Sequence, residues 1–191
     1  MSSARITALA TAATIAFVAL GVPVIAQPMS EKTVMVGGAA MYPNKNIIQN
    51  AVNSKDHTTL VAAVKAAGLV GTLEGKGPFT VFAPTNEAFA ELPKGTVESL
   101  LKPENKDKLV KILTYHVVAA DAMANTIKKM IKDDGGEHKI KTVSGDTLIA
   151  TMKGDKIKLK DESGGVATVT IANVKQSNGV IHVIDQVLLP K

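Results

Sequence analysis

Asn178-Gly179 introduces the last apolar run of the chain, Val180 to Leu189. Asn-Gly is a strong two-residue hairpin signal, because both residues tolerate the positive φ that such a turn requires. The run beyond it does not alternate with polar residues. A segment apolar on both faces reads as a central strand, with neighbours on each side and a layer over each face. Phe79-Thr80-Val81-Phe82-Ala83, set off by Gly77-Pro78, is the other strongly strand-like run. Together the two are predicted to be the spine of a sheet.

On both sides of the Phe79 run the pattern is helical. Asn46 is a candidate N-cap for a short helix through Val52, and a second helix is predicted over Thr58 to Ala67 with Gly68 as its stop. Leu69 to Leu73 makes a further turn. Pro84-Thr85-Asn86 ends the Phe79 strand and caps Glu87 to Leu92. Thr96 caps a helix through Leu101, and Pro103 opens one that runs to about Leu113. Tyr115 to Val118 reads as a strand, and Asp121 as the cap of Ala122 to Lys132. Four short strands follow, at Lys139 to Val143, Thr147 to Met152, Lys156 to Lys160 and Thr168 to Val174, separated by glycine turns. Helices followed by a meander predict an α+β domain.

The first residues do not belong to that domain. Arg5, an apolar stretch from Ile6 to Leu20 and the small-residue boundary Val24-Ile25-Ala26 read as a secretory signal peptide over 1–26. Residues 27–44 show no clear periodicity and are expected to be a flexible segment. The domain itself is expected over 45–190. With 46% hydrophobic residues the chain can bury a core without staples, and it has no Cys. Disulfides, thiol catalysis and zinc–thiolate sites are thereby excluded. No second apolar run of spanning length follows the leader, so no membrane span is expected after cleavage.

The formal charge is +5, yet the only Arg is Arg5. Lys supplies a point charge rather than the planar fork that reads phosphate and guanine, so no nucleic-acid partner is expected. Lysines also alternate with acids, as in Lys106-Asp107-Lys108 and Asp155-Lys156, which predicts a surface of mixed sign. At 3% aromatic content the chain has few rings to spare for a stacking platform.

Gly77-Pro78-Phe79-Thr80-Val81-Phe82-Ala83-Pro84-Thr85-Asn86-Glu87-Ala88-Phe89 resembles the first signature of fasciclin domains. Asn178-Gly179-Val180-Ile181-His182-Val183-Ile184-Asp185-Gln186-Val187-Leu188-Leu189-Pro190 resembles the second, and Tyr115-His116 the Tyr-His pair between them. The chain is similar to the small, secreted, single-domain bacterial members of that family. The resemblance implies a wedge of short β-strands with several helices gathered at one end, and a role in adhesion. It makes Phe79, Phe82, Pro84, Thr85, Asn86, Phe89, Asn178, Gly179, His182 and Asp185 structural signature residues. It makes Tyr115, His116, Asn173 and Val174 candidate partner-binding residues. In animal relatives an Asp-Ile pair linked to integrin recognition stands where this chain has Asn173-Val174. An amide is a poor substitute for the anionic ligand that a metal-dependent site requires.

The residues themselves show no catalytic motif. His57, His116, His138 and His182 lack His-Glu-x-x-His spacing, and no Gly-x-Ser-x-Gly elbow is present. The expectation is a secreted, extracellular or periplasmic, non-enzymatic and monomeric interaction module without metal or cofactor. Its partner would be a protein or a matrix or cell-surface component. A carrier of a small apolar ligand and an envelope hydrolase are the alternatives.

Overall fold

A computed structural model describes residues 33–191 of the chain. The expected leader and residues 27–32 lie outside the described residues. Nine strands and seven α-helices follow one another in these residues: β1 Val34–Val36, β2 Ala39–Met41, α1 Ile47–Ala51, α2 Thr58–Ala67, α3 Val70–Glu74, β3 Phe79–Pro84, α4 Asn86–Ala90, α5 Thr96–Leu100, α6 Lys106–Tyr115, β4 Val117–Val118, α7 Ala124–Asp133, β5 Glu137–Lys141, β6 Thr147–Lys153, β7 Lys156–Lys160, β8 Val166–Gln176 and β9 Gly179–Ile184. The main sheet has the order β4-β3-β9-β8-β7-β6-β5. Helices precede the meander, so the α+β class holds.

The two apolar runs pair with each other as the parallel strands β3 and β9, in a register that sets Phe82 beside His182. Strand alternation then sorts their side chains into two cores. Val81, Ala83, Ile181 and Val183 face the helical side, with Leu60, Val64, Leu109 and Leu113. Phe82 and Ile184 face the other side, with Tyr115, Ile127 and Ile131 and the inner residues Leu148, Ala150, Ile157 and Leu159 of the meander. Full burial of a Leu or Ile side chain contributes about 1.5–3 kcal/mol, so both faces of the spine stabilise the fold.

The spine begins at a close approach of two backbones. A Cβ on Gly179 would overlap the Phe79 carbonyl, and one on Gly77 would overlap the Asn178 carbonyl. Glycine is required at both places because the strands enter the sheet with no room for a side chain. The turn into β9 lies one residue earlier than expected. Gln176 pairs with Gly179, leaving Ser177-Asn178 as the loop, since the Asn178 carbonyl accepts from the Phe79 amide at 3.0 Å.

Other boundaries also differ from the sequence reading. Residues 34–41, expected within a flexible segment, form a hairpin turned by Gly37-Gly38 at φ 57° and 75°, and it buries Val36 and Met41 in the helical core. Tyr115 is the last residue of α6 and His116 its C-cap, leaving only Val117–Val118 as strand. The helix extends because Tyr115 and His116 find their partners from helical backbone, overriding a local preference for strand. β9 stops at Ile184, although Leu188 is fully buried. The amides of Leu188 and Leu189 bond to side chains, the His116 ring and the Asp161 carboxylate, instead of to a strand.

Candidate functional site

Helix starts leave backbone N–H groups without partners, and a polar side chain must supply them. In this fold, asparagines remote in sequence do so. The Asn178 Oδ1 accepts from the first amide of α1, Ile47, at 3.1 Å, while its Nδ2 donates to the carbonyls of Leu73 and Gly75 at 2.7 and 3.0 Å. Asn86 accepts from the Thr59 amide at the start of α2 at 3.0 Å and donates to the Lys55 carbonyl at 2.8 Å. Asn173 sits in a bulged stretch of β8 at φ 61° and accepts from the Ala124 amide of α7 at 2.7 Å. Asn tolerates that left-handed backbone better than most residues. Asp121, the expected cap of α7, makes no such bond: the helix begins at Ala124 after Met123. α4 is capped locally, the Thr85 Oγ1 accepting from the Ala88 amide at 3.3 Å.

Asn178→Ala removes three bonds and strands buried backbone groups at two helix ends. It is expected to cost roughly 2–3 kcal/mol. Asn178→Asp should cost as much, because a carboxylate cannot donate to the Leu73 and Gly75 carbonyls. A urea melt in which Asn178→Asp matches the parent would show that the donor side is unimportant.

His116 joins three elements. A carbonyl can only accept and an amide can only donate, so its tautomer follows from its partners. Nδ1–H donates to the Ile112 carbonyl at 2.8 Å, and Nε2 accepts from the Leu188 amide at 3.0 Å. Its own carbonyl accepts from the Phe82 amide in β3 at 2.9 Å. Burial is the main cause that lowers its pKa from 6.5 to about 4; the bond to Ile112 only partly offsets it. The ring is therefore neutral.

Tyr115 is fully buried. Its hydroxyl donates to the Thr147 carbonyl at 3.0 Å and accepts from the Glu162 amide at 3.2 Å, holding the end of α6 to the start of β6 and to the turn after β7. Burial pushes its pKa up to about 12. His182 is likewise fixed: Nε2–H donates to the Ala122 carbonyl at 2.8 Å and Nδ1 accepts from the Asn173 amide at 3.3 Å. Its ring stacks on Phe82 with centroids 5.7 Å apart, and burial lowers its pKa.

Tyr115, His116 and Val174 are thus beneath the surface, out of reach of a docked partner, and Asn173 is half-buried with its Oδ1 engaged. The polar atoms of Tyr115, His116 and Asn173 join elements of the fold, and Val174 packs into the helical core. Among the signature residues, Phe79 and Phe89 pack into the helical core, Pro84 is buried at the end of β3, and Asp185 accepts from the Thr168 amide at 2.6 Å.

The polar surface at the start of the spine was not singled out in the sequence. A groove of about 640 Å³ opens over the Ser177-Asn178 turn, edged by exposed Glu74, Lys76, Asp121 and Lys175 and by Gln49 and Met123. These residues come from four separate stretches of chain, so no spacing signal announces them. Among the described residues no group of three His, Asp or Glu converges in a way that could hold a metal ion.

Residues 55–190 match the family model described as fasciclin domain. The chain belongs to the fasciclin-domain family. Among relatives, it is 50% identical over 175 residues to the Synechocystis protein sll1483, covering 90% of both chains. It is 41% identical to the Synechocystis protein sll1735 over 75% of this chain and 97% of that one. It is also 36% identical to the immunogenic protein MPB70 of Mycobacterium bovis, over 73% and 66% of the two chains. The fold matches that of a FAS1 domain pair from the insect cell adhesion molecule Fasciclin I, with a TM-score of 0.69 at 16% identity. The match covers 77% of this fasciclin chain and 51% of that two-domain chain. In this fasciclin domain the three signatures meet at the spine, where they tie helices to strands.

Proposed function

We propose that the chain is a secreted, non-catalytic interaction module that binds a protein or matrix component at the cell surface or envelope. The observation that carries this reading is the internal use of its chemistry-bearing signature residues. Tyr115, His116 and His182 are buried, and each is hydrogen-bonded at both of its polar positions. Groups so engaged build a rigid shape, and a preorganised surface loses less entropy on binding. The fold shared with a cell adhesion molecule supports the same reading.

The alternatives find less support. An apolar cavity between helices and sheet has a volume of only about 30 Å³, whereas ligand pockets begin near roughly 300 Å³. His57 reaches this cavity with an Nε2 that makes no well-formed hydrogen bond, and burial lowers its pKa against the opposing effects of the Ala83 carbonyl and Asp56. The imidazole–carboxylate pair His138–Asp134, 2.6 Å apart, lies on the surface with no hydroxyl bonded to it among the described residues.

Export is testable directly. Mass spectrometry of protein recovered outside the cytoplasm should place Gln27 at the N-terminus; recovery only as a full-length membrane protein refutes export with cleavage. For binding, the mature chain is used to capture partners from envelope and matrix fractions. Charge reversal of Lys76 and Lys175 to Glu should reduce capture at unchanged melting temperature. Equal capture by parent and variant would remove the groove from the reading, and no specific capture by the parent would remove the reading itself.

A further inference from the structure

Lysines that alternate with other residues along the chain are sorted by the strands onto one face. In β7 the sequence Lys156-Ile157-Lys158-Leu159-Lys160 buries Ile157 and Leu159 and turns the three lysines outward. The register continues the outer face across the meander, because directly paired residues share a side. Lys139 of β5 pairs with Ile149 of β6, and Ile149 with Lys160. Lys141 pairs with Thr147, Thr151 with Lys158, and Lys153 with Lys156. Six lysines therefore share one sheet face with a single acid in the strands, Glu137, at its edge; Asp155 and Glu162 lie in the bordering turns, Glu162 accepting from the Thr147 amide, and Asp185 borders β8, where it accepts from the Thr168 amide. The expectation of a mixed-sign surface fails here because mixing along a chain is not mixing on a sheet of period two.

This face is not neutralised from within. None of the six lysines makes an ion pair among the described residues. Lys153 and Lys156 stand directly opposite each other, an arrangement that destabilises a strand pair.

We propose that the outer face of β5–β8 binds an extended acidic polysaccharide, a chain of carboxylated or sulfated sugars. The inference rests on the reading of the domain as an exported interaction module and names the chemistry of one partner. Strands about 4.8 Å apart set Lys139 and Lys160, two strands removed, roughly 10 Å from each other. At that separation the lysines can meet charges that recur along one linear polymer. Thr147, Thr151 and Thr168 lie among the lysines and offer hydroxyls that both donate and accept, as sugar hydroxyls require. Duplex or single-stranded nucleic acid is a poorer fit, since the face holds no Arg to fork onto phosphate and no ring to stack on a base. A membrane surface is a poorer fit as well, because Val166 is the one large exposed hydrophobic residue on these strands.

The test uses the purified protein with four probes: sodium alginate, dextran sulfate, neutral dextran and a short DNA duplex. Binding to alginate or dextran sulfate is expected, absent for neutral dextran, and lost steeply between roughly 50 and 200 mM salt. Replacing Lys139, Lys158 and Lys160 by Gln should weaken it about tenfold or more, and should lower the salt slope by roughly two. The same change at Lys94, Lys102 and Lys108, on the helical side, should alter it less than about twofold. If the first triple variant melts early, Lys141→Gln with Lys156→Gln serves in its place. Equal losses in the two sets, or no binding of either acidic polysaccharide, overturns the proposal; tighter binding of the DNA duplex overturns it in favour of nucleic acid. Capture of a protein partner should survive the meander substitutions, so that its failure is recorded separately from failure here.

Discussion

Phe82→Ala is expected to lower the free energy of unfolding by about 3–5 kcal/mol. Phe82 has no exposed surface and lies in β3, between β4 and β9. Its ring is held between elements that come from the whole length of the domain: His182 of β9 is stacked on it, and α7 and the meander belong to the same core. Strands on both sides of β3 keep the backbone from collapsing into the space left behind. The cavity term therefore adds to the lost burial, and the stacked pair adds about 0.5–1.5 kcal/mol. Phe82→Leu keeps most of the volume and should cost less than half as much. A loss below about 1 kcal/mol for Phe82→Ala in urea melts would mean that the core is not organised around this ring.

Acid should unfold the protein partly through His116, and His116→Asn should flatten that response. In the folded chain the ring stays neutral down to about pH 4, against 6.5 when free. Its Nε2 accepts from the Leu188 amide, so a proton there would set two donors against each other. Between these two pH values the unfolded chain holds more protons, and stability rises with pH. The contribution of the neutral ring is fully present above 6.5, falls as pH decreases, and is lost at about 4; it amounts to roughly 3 kcal/mol. His182 and His57 are shifted in the same direction and add to the slope. The measurement is the melting temperature of parent and His116→Asn from pH 7 to 4. The variant should be less stable at pH 7, lose less on acidification, and lose partner capture in step with stability. Equal pH slopes would remove His116 from the acid response. Capture lost at unchanged melting temperature would make His116 a contact residue.

The helices and strands that could be read in advance are those whose signals are local. α2 begins and ends where its spacing and Gly68 place it, β7 spans Lys156–Lys160 as expected, and Asn46 forms a capping box with Gln49 three residues on. β3 and β9 were legible because a strand covered on both faces must be apolar throughout. The hairpin at 34–41 was missed although Gly37-Gly38 is a turn signal, since two three-residue strands offer too little pattern to separate them from a tail.

The candidate site divides along the same line. The Asn178-Gly179 turn signal and the unbroken apolar run marked the last strand as covered on both faces, while Tyr115, His116 and His182 were singled out by the resemblance to fasciclin signatures. Only the tertiary structure decided what each of them does. Asn178 reaches Ile47 across 131 positions and His116 reaches Leu188 across 72, so their partners lie beyond any local window. Burial makes Tyr115, His116 and His182 ties between elements, because a polar group removed from water must find a partner inside the protein. The basic face arose in the same way: the lysines are visible in the sequence, but strand register, set by the hydrophobic residues between them, brought them to one side.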